Sequence, residues 1–188
     1  PRERRYEIEE RLDSKGKILT KINKQNLKNI INNLKFDKVE SIAVTLIHSY
    51  ANDTHERIIG DIVSEELPQC FVTLSVDILP EIREYERTST TAINAYVGPP
   101  VKSYVNSLIN NLKKSGFTSN LLMMQSSGGM IDAETVVKNP AQIVECGPAA
   151  GVIGSAYLGS LTNINNLITL DMGGTTAKAS LIENGNLM

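Results

Sequence analysis

The sequence predicts an α/β protein, and three patterns carry that prediction. Residues 41–76 run in the order strand, helix, strand, which makes a βαβ unit with two parallel strands joined by a right-handed crossover. Residues 23–35 have apolar side chains at helical spacing, and residues 167–182 form two strands separated by a glycine turn. Helices and strands are therefore expected to mix in one fold.

Local spacing divides the first half of the chain into five elements. One face of the first helix is expected to be apolar, because residues at positions i, i+3, i+4 and i+7 are Leu27, Ile30, Ile31 and Leu34. Asp53 and Glu56 have the spacing of a capping box at the start of the second helix. The predicted elements are, in order, a charged hairpin (6–21), a helix (23–35), a nearly all-apolar strand (41–47), a helix (53–67) and a strand (71–76).

The local sequence pattern changes in the second half of the chain, and we place the domain boundary before Pro80. Gly98-Pro99-Pro100 is expected to interrupt a helix, because proline has no backbone N–H to donate. The small residues of 147–161 are expected to let a helix pack closely on a sheet. The predicted elements are helices over 81–96 and 101–114, a strand (121–124), a short helix (132–138), a helix (147–161) and the strand–turn–strand segment (167–182).

Composition and charge narrow the function classes. The chain has 188 residues with 19 basic and 21 acidic side chains, so it offers no basic excess for a nucleic-acid backbone. Three Phe, six Tyr and no Trp leave few rings on which bases could stack. No apolar stretch approaches the roughly 20 residues of a membrane-spanning helix. We therefore expect a cytoplasmic protein with reduced cysteines and without nucleic-acid or membrane partners.

The most informative motif is Asp171-Met172-Gly173-Gly174-Thr175-Thr176, between an apolar strand and an alternating one. Glycines let a backbone approach a ligand closely, and successive N–H groups in a turn can bind anions. Threonine hydroxyls can donate to phosphate oxygens, and an aspartate at a strand end can hold Mg²⁺ directly or through water. The motif therefore has the features of a nucleotide-phosphate loop.

Spacing excludes two common phosphate loops. The patterns G-x-x-x-x-G-K-[ST] and G-x-G-x-x-G both open a helix, whereas residues 177–182 alternate with the period of a strand. A β-hairpin phosphate loop is the device of actin-like and sugar-kinase-like ATPases. An ordinary hairpin with glycines in its turn fits the hexapeptide equally well, so both interpretations stay open at this point.

Six ordered motifs together resemble the hydantoinase A/5-oxoprolinase family, which includes large subunits of ATP-dependent ketone carboxylases. They cover most of residues 40–180, and the ordered set is far more specific than any single motif. The motifs are His48-Ser49-Tyr50-Ala51-Asn52 with His55-Glu56-Arg57, Pro80-Glu81-Ile82-Arg83-Glu84-Tyr85-Glu86-Arg87-Thr88-Ser89-Thr90-Thr91, Asn94-Ala95-Tyr96, Met124-Gln125-Ser126-Ser127-Gly128-Gly129, Gly147-Pro148-Ala149-Ala150-Gly151-Val152 and the hexapeptide at Asp171.

The resemblance implies a fold and a place in a larger protein. It implies an actin-like, ribonuclease H-like ATPase of two related halves, each with a glycine-rich phosphate hairpin. This chain would supply the second hairpin, at Asp171, and the start of one half; the first hairpin has no counterpart in it. We therefore expect an internal fragment that is inactive alone. Residues 1–79 would come from the family's N-terminal region and residues 80–188 from the start of its catalytic region.

For the parent protein, the resemblance implies an enzyme that uses ATP and Mg²⁺. It would hydrolyse a cyclic amide of the hydantoin or 5-oxoproline type, because phosphorylating the carbonyl oxygen opens an unreactive carbon to water. Two alternatives remain: a subunit of an ATP-dependent ketone carboxylase, and a non-catalytic domain for subunit contacts. The implied partners are a cyclic amide or ketone substrate, a second subunit of the hydantoinase B type and further copies in an oligomer.

These motifs also predict site residues. Asp171 is the expected catalytic residue, as a Mg²⁺ ligand or a water-orienting group. The loop at 127–129 is expected to meet nucleotide or substrate, with a plain turn into the next helix as an equal alternative. The expected cofactor-binding residues are Gly173, Gly174, Thr175, Thr176, Ser127, Gly128 and Gly129.

The charged and hydroxyl-rich segment before residue 92 is expected to be mainly structural. The side chains of 81–87 fit a charged helix face. The hydroxyl run 88–91 is unusual for a helix, and its functional alternative is the border of a ligand cleft or an interface. Lys178 is expected to lie along its strand with its stem covering apolar surface, the alternative being a phosphate contact.

The histidines and cysteines are also expected to be structural. His48 and His55 are expected to form local hydrogen bonds, because a metal site has no evident third ligand. Cys70 and Cys146 are expected as small buried side chains.

Overall fold

The computed structural model describes residues 2–188, and its contacts divide the chain into two compact units. The first unit is Pro1–Ser103 and the second is Tyr104–Met188. Helices and strands mix in both, so the predicted α/β class is confirmed. None of the helices within residues 2–188 is long and apolar enough to span a bilayer.

The first unit is built on a βαβ arrangement. Strands β3 and β4 are parallel, with Ser41 opposite Phe71 and Val44 opposite Leu74, as the order of elements predicts. β1 and β2 form a separate antiparallel hairpin, whose turn holds Gly16 at φ +80°. The elements are a 3₁₀ turn (Arg2–Arg4), β1 (Arg11–Leu12), β2 (Ile18–Thr20), α1 (Lys24–Phe36), β3 (Ser41–Val44), α2 (Thr54–Glu66), β4 (Phe71–Leu74), the single turn α3 (Ser75–Ile78) and the first part of α4 (Glu84–Lys114).

The core of the first unit is aliphatic, and helical spacing supplies it. The side-chain oxygen of Asn23 accepts from the N–H groups of Gln25 and Asn26, which starts α1 at the predicted place. The apolar faces of α1 and α2 then cover the two parallel strands. The buried cluster consists of Leu27, Ile31, Val44, Ile59, Val63 and Leu74.

Helix α4 departs most from the sequence prediction. The proline pair predicts two helices, but α4 runs unbroken over Glu84–Lys114. Pro99 and Pro100 remove two backbone donors, while Gly98 has no Cβ to clash with the proline ring that follows it. Gly98 also lies against β4, because a Cβ there would be 2.3 Å from the Phe71 ring. Tertiary packing therefore keeps helical a segment whose local preference is to break.

The second unit contains two small antiparallel sheets, β5–β6 and β7–β8–β9. α6 approaches β7 closely at Gly159, where a Cβ would lie 2.6 Å from Leu167 Cδ1. The three-residue strand β6 is missing from the sequence prediction because it is too short to show a period. After the rest of α4, the elements are β5 (Leu122–Met124), β6 (Met130–Asp132), α5 (Ala133–Lys138), a 3₁₀ turn (Pro140–Ile143), α6 (Cys146–Leu161), β7 (Leu167–Met172), β8 (Ala177–Glu183) and β9 (Asn186–Leu187).

The start of α5 gives the second unit an acid-sensitive contact. Asp132 Oδ2 accepts from the Thr135 hydroxyl over 2.7 Å, and Oδ1 accepts from the Thr135 N–H over 2.8 Å. These two hydrogen bonds, the hydroxyl first, hold the pKa of the Asp132 carboxyl below its ordinary value. A carboxyl with a lowered folded-state pKa stabilises the fold above its ordinary pKa, and that contribution is lost as the pH falls through the folded-state pKa.

Substitution of Asp132 by asparagine is therefore expected to flatten the acid limb of the stability profile. An asparagine oxygen still accepts the capping bond, so the thermal-unfolding midpoint at pH 7 should change little. Below about pH 4, the midpoint of Asp132→Asn should fall less steeply than that of the unsubstituted chain. Thermal unfolding followed by circular dichroism from pH 7 to pH 2.5 checks this, and superimposable acid limbs would contradict it.

Candidate functional site

The hexapeptide folds as the predicted strand, turn and strand. Met172 at the end of β7 is opposite Ala177 at the start of β8, and the Gly173 N–H donates to the Thr176 carbonyl oxygen over 3.0 Å. Asp171 is exposed, and its register partner is Lys178. Because directly opposite residues of antiparallel strands point to the same face, Asp171 and Lys178 share one face of the hairpin.

Gly173 and Gly174 have no explanation within the chain itself. Neither has a φ in the left-handed region, and a Cβ on either would meet no atom within 4 Å. Backbone conformation and packing would therefore accept larger residues at both positions. What the two glycines do provide is open space at the turn between Asp171 and Thr175.

The loop after β5 is different, because its own geometry explains Gly128. Gly128 has φ +90°, and a Cβ there would be 2.7 Å from Ile153 Cδ1. A Cβ on Gly129 would be 2.6 Å from Gln125 Oε1, and the Gln125 N–H donates to the Gly129 carbonyl over 2.8 Å. The tight turn accounts for Gly128 through its positive φ, whereas at Gly129 only the end of the Gln125 side chain would have to move. A ligand role for Ser127, Gly128 and Gly129 stays a prediction.

An open depression of about 490 Å³ lies in the second unit. Three parts of the chain form its wall: the loop after β5, the start of α6 and the strand β8. None of the eight predicted site residues lines it, but its lining residues adjoin both predicted segments in sequence. The lining residues are Ser126, Glu145, Pro148, Ala149, Val152, Lys178, Ala179 and Ser180.

Lys178 and Glu145 are the charged residues of this depression. The Lys178 ammonium pairs with the Glu145 carboxylate, and 40% and 62% of their side chains are exposed, so water screens the pair and weakens it. The Glu145 N–H donates to the Ser126 hydroxyl over 3.0 Å. The prediction for Lys178 concerned its stem and named no partner for its ammonium group; the structure supplies that partner. Glu145 is 33 residues away in sequence, so no local pattern reveals the contact.

A magnesium ion at Asp171 would need ligands beyond the side chains that this chain brings together there. Within the part of the chain that the structure describes, no three His, Cys, Asp or Glu side chains come together as a cation site. Mg²⁺ keeps several waters and is usually held by one or two carboxylates together with substrate phosphates. A single exposed carboxylate at the end of β7 fits an ion carried in with a phosphate ligand.

Both histidines have hydrogen-bond partners in the first unit. His48 Nδ1 lies 3.2 Å from the Tyr50 hydroxyl, so the predicted local hydrogen bond is confirmed there. His55 Nδ1 lies 2.6 Å from Glu10 Oε2, a partner 45 residues away. The prediction of a local bond is wrong for His55, because the β1–β2 region folds back onto the start of α2. Both cysteines are only half-buried, not buried as predicted, and burial raises the pKa of the Cys70 thiol.

Sequence patterns missed a buried polar cluster in the first unit. Glu56 and Arg87 are both 0% exposed. Glu56 Oε1 accepts from the Leu46 N–H over 2.8 Å and from the Ser75 hydroxyl over 2.7 Å. Arg87 Nη2 donates to the Leu46 carbonyl over 2.7 Å, and Nη1 donates to the Ser49 hydroxyl. A buried carboxylate and a buried guanidinium thus bind the same residue, Leu46, just after β3.

Two sequence predictions are corrected by this cluster. Asp53 makes no capping bond to α2 and instead pairs with Arg57 over 2.9 Å. Its backbone is helical, with φ −83° and ψ −4°, whereas a capping residue is normally extended. Glu56 completes no capping box either, because its carboxylate is buried and binds the Leu46 N–H. Arg87 does not belong to a charged helix face. The signal that could have located both was the motif set, since His55-Glu56 and Glu86-Arg87 fall in two of the six motifs. The neighbouring Thr91 hydroxyl donates to the Arg87 carbonyl over 2.6 Å, which lets a threonine sit in a helix interior.

Sequence comparison supports the resemblance. The profile described as Hydantoinase/oxoprolinase matches residues 87–188, and the profile described as Hydantoinase/oxoprolinase N-terminal region matches residues 1–67. An uncharacterized protein of Methanocaldococcus jannaschii is 43% identical over 182 residues, which are 97% of this chain and 27% of that protein. Caprolactamase subunit alpha of Pseudomonas jessenii is 29% identical over 185 residues, which are 98% of this chain and 27% of that protein.

Two solved structures agree with these relatives. Acetone carboxylase, in a nucleotide-free structure described as part of the mechanism of ATP-dependent acetone carboxylation, has a TM-score of 0.86 and 30% identity over 96% of this chain and 26% of its own. ATP-dependent caprolactamase from Pseudomonas jessenii has a TM-score of 0.83 and 29% identity over 96% and 26%. The chain thus spans about a quarter of the length of these relatives. With one family profile covering more than half of its residues, this chain belongs to the hydantoinase/oxoprolinase family.

Proposed function

We propose that the parent protein is an ATP-dependent hydrolase that opens a cyclic amide, and that this chain supplies one phosphate-binding hairpin of its nucleotide site. The observation that carries the proposal is the open space at Gly173 and Gly174, which the chain's own backbone and packing do not require. The family and the ATP-dependent caprolactamase structure support the class of chemistry. In this proposal, the sheet β7–β8–β9 and helix α6 begin an actin-like, ribonuclease H-like half.

Each residue of the hairpin has a role in this proposal. The Gly173 N–H is engaged within the turn, so the following N–H groups and the hydroxyls of Thr175 and Thr176 bind phosphate oxygens. Asp171 holds Mg²⁺ directly or through water. Lys178 shares a face with Asp171 and exchanges its exposed partner Glu145 for a phosphate oxygen. Bound ATP would supply the phosphoryl group that activates the carbonyl oxygen, and the chain's residues supply positioning and charge neutralisation.

A ketone carboxylase subunit is the second candidate. The similarity to acetone carboxylase favours this candidate, because the TM-score with that structure is 0.86, against 0.83 with caprolactamase. Assays of the parent protein with and without bicarbonate separate the two reactions. ATP consumption that strictly requires bicarbonate would assign the parent to the carboxylases, and ring opening of a cyclic amide without bicarbonate would assign it to the hydrolases.

We also propose that the parent assembles with a non-identical subunit of the hydantoinase B type. The relative from Pseudomonas jessenii supports this, because its name, caprolactamase subunit alpha, describes one subunit of a larger enzyme. The remaining alternative is that this chain is a non-catalytic domain that mainly forms contacts between subunits. Loss of assembly with unchanged turnover in hairpin variants would favour it.

Replacing Gly173 and Gly174 together with alanine in the parent protein is expected to weaken ATP binding about 10- to 100-fold. The two methyl groups have room within the chain, so folding should be unaffected, but they would occupy the space that phosphate oxygens need. Isothermal titration with ATP and Mg²⁺ measures the change. Gly154→Ala on α6 is the matched control, because its Cβ also meets no atom within 4 Å. Equal affinities for ATP in the double variant and in Gly154→Ala would contradict the proposal and favour an ordinary hairpin.

A further inference from the structure

The surface between helix α4 and the strands β3 and β4 is polar, although it is buried. Asn94 Nδ2 donates to Thr73 Oγ1 over 3.3 Å, and the Arg87 guanidinium donates to the Leu46 carbonyl and the Ser49 hydroxyl. Aliphatic side chains of α1 and α2 cover the opposite side of the two strands. The buried polar residues at the α4 surface, which we call the polar seam, are Ser49, Thr73, Ser75, Arg87, Thr91 and Asn94.

Thr45, the residue after the end of β3, points toward the polar seam. Side chains two positions apart in an extended segment share a face, and Ala43 is opposite Thr73, whose hydroxyl binds α4. Leu46, the next residue, packs against the aliphatic cluster on the other side. Thr45 therefore lies on the side of α4, next to the carbonyl group that Arg87 binds over 2.7 Å.

Two buried atoms of this region have no partner in the chain. Within residues 2–188, the buried side-chain nitrogen and oxygen atoms without a hydrogen-bond partner are Thr45 Oγ1 and Arg87 Nε. Both terminal nitrogens of Arg87 are engaged, so only its Nε–H is left over. An unsatisfied buried polar atom is costly and rare in a native fold. Because both atoms lie beside Leu46, one small molecule between them would satisfy both.

Charge balance indicates that this molecule is neutral. Glu56 and Arg87 are both 0% exposed, and two hydroxyl groups connect them. Arg87 Nη1 donates to the Ser49 hydroxyl, Ser49 Oγ lies 3.4 Å from Ser75 Oγ, and the Ser75 hydroxyl donates to Glu56 Oε1 over 2.7 Å. One buried carboxylate thus already balances one buried guanidinium. An anion at Arg87 Nε would leave an excess negative charge in the interior, which is unfavourable.

We propose that one water molecule is bound in the polar seam, where it accepts a hydrogen bond from Arg87 Nε and forms a second one with Thr45 Oγ1. Water can both donate and accept, and buried waters typically bind two to four otherwise unsatisfied polar groups. The bound water joins α4 to the segment that follows β3. This chain alone buries both atoms, so the proposal is independent of the ATP chemistry and of the rest of the parent protein.

Thr45→Val tests the proposal, because the sign of its effect separates two cases. If water bridges the two atoms, the variant removes one partner of the water, and the urea midpoint for unfolding of the 188-residue chain should fall by roughly 0.3–1 M. If the hydroxyl is unbound, the nearly isosteric valine removes a polar group from the interior, and the midpoint should stay or rise. An unchanged or raised midpoint would overturn the proposal.

Thr20→Val is the matched control for this measurement. Thr20 is exposed in β2, so its variant reports the preference of valine for a strand without the buried contact. Circular dichroism of both variants should show unchanged secondary structure. The fall in the midpoint is measured relative to this control, and equal midpoints in the two variants would overturn the proposal.

A high-resolution crystal structure of the chain identifies the bound molecule. A water within about 3.2 Å of both Arg87 Nε and Thr45 Oγ1 supports the proposal. A direct hydrogen bond between these two atoms, or a site without density, overturns it. Replacing gluconate by chloride at constant ionic strength distinguishes a small anion: a urea midpoint that rises with chloride would show that the ligand is charged, whereas an unchanged midpoint supports water.

Discussion

Replacing Glu56 with glutamine is expected to destabilise the 188-residue chain by about 1–3 kcal/mol, because it leaves a buried hydrogen-bond donor without an acceptor. The Glu56 carboxylate is 0% exposed and accepts hydrogen bonds from the Leu46 and Val76 N–H groups over 2.8 and 3.1 Å. A glutamine amide has only one oxygen, so its NH₂ group would take the place of the second carboxylate oxygen. One of the two backbone N–H groups would then face another donor and lose its hydrogen bond. The Arg87 guanidinium donates to the Leu46 carbonyl, and Glu56 accepts from the Leu46 N–H. The substitution would therefore also remove the negative charge that the cluster holds together with the buried guanidinium.

Urea unfolding followed by circular dichroism measures this loss. Glu65→Gln is the matched control, because Glu65 lies on the same helix but is exposed, and it should change the free energy of unfolding by no more than about 0.5 kcal/mol. In the double variant Glu56→Gln/Arg87→Met, the loss should be smaller than the sum of the two single losses, because the charges share Leu46. Equal losses in Glu56→Gln and Glu65→Gln would show that the cluster does not stabilise the fold.

Replacing Asp171 with asparagine in the parent protein is expected to lower the rate of ATP hydrolysis about 100- to 1,000-fold. In the proposed site, the carboxylate neutralises charge through Mg²⁺ at the phosphates, and a neutral amide is a poor ligand for that ion. The substitution is nearly isosteric, and Asp171 is exposed, so the fold should be unaffected. The concentration of Mg²⁺ needed for half-maximal turnover should rise as well.

Steady-state ATPase assays over a Mg²⁺ titration check both effects. Asp132→Asn is the control, because Asp132 is another exposed carboxylate of the second unit with a capping role only. A wild-type rate and Mg²⁺ requirement in Asp171→Asn would remove this hairpin from the reaction. A reduced rate with an unchanged Mg²⁺ requirement would keep Asp171 in the site as a water-orienting group.

Much of the fold could be predicted from the sequence because its signals are short-range. The side chain of Asn23 starts α1 where the apolar period begins, and the order of elements in 41–76 gives the parallel pair β3–β4. The hairpin at Asp171 likewise follows from an alternating pattern around two glycines. Each of these depends on residues within a few positions of one another, so a local pattern is enough to encode it.

What the tertiary structure decided involves partners far apart in the chain. Helix α4 continues through two prolines where Gly98 packs against Phe71. Glu56 and Arg87 are both buried and both form hydrogen bonds with the backbone of Leu46. Lys178 pairs with Glu145, which is 33 residues away in sequence. The sequence alone established the family, the strand–turn–strand at Asp171 and the βαβ order. Only packing decided which charges are buried and which glycines face open space, because burial depends on distant segments that leave no periodic trace in the sequence.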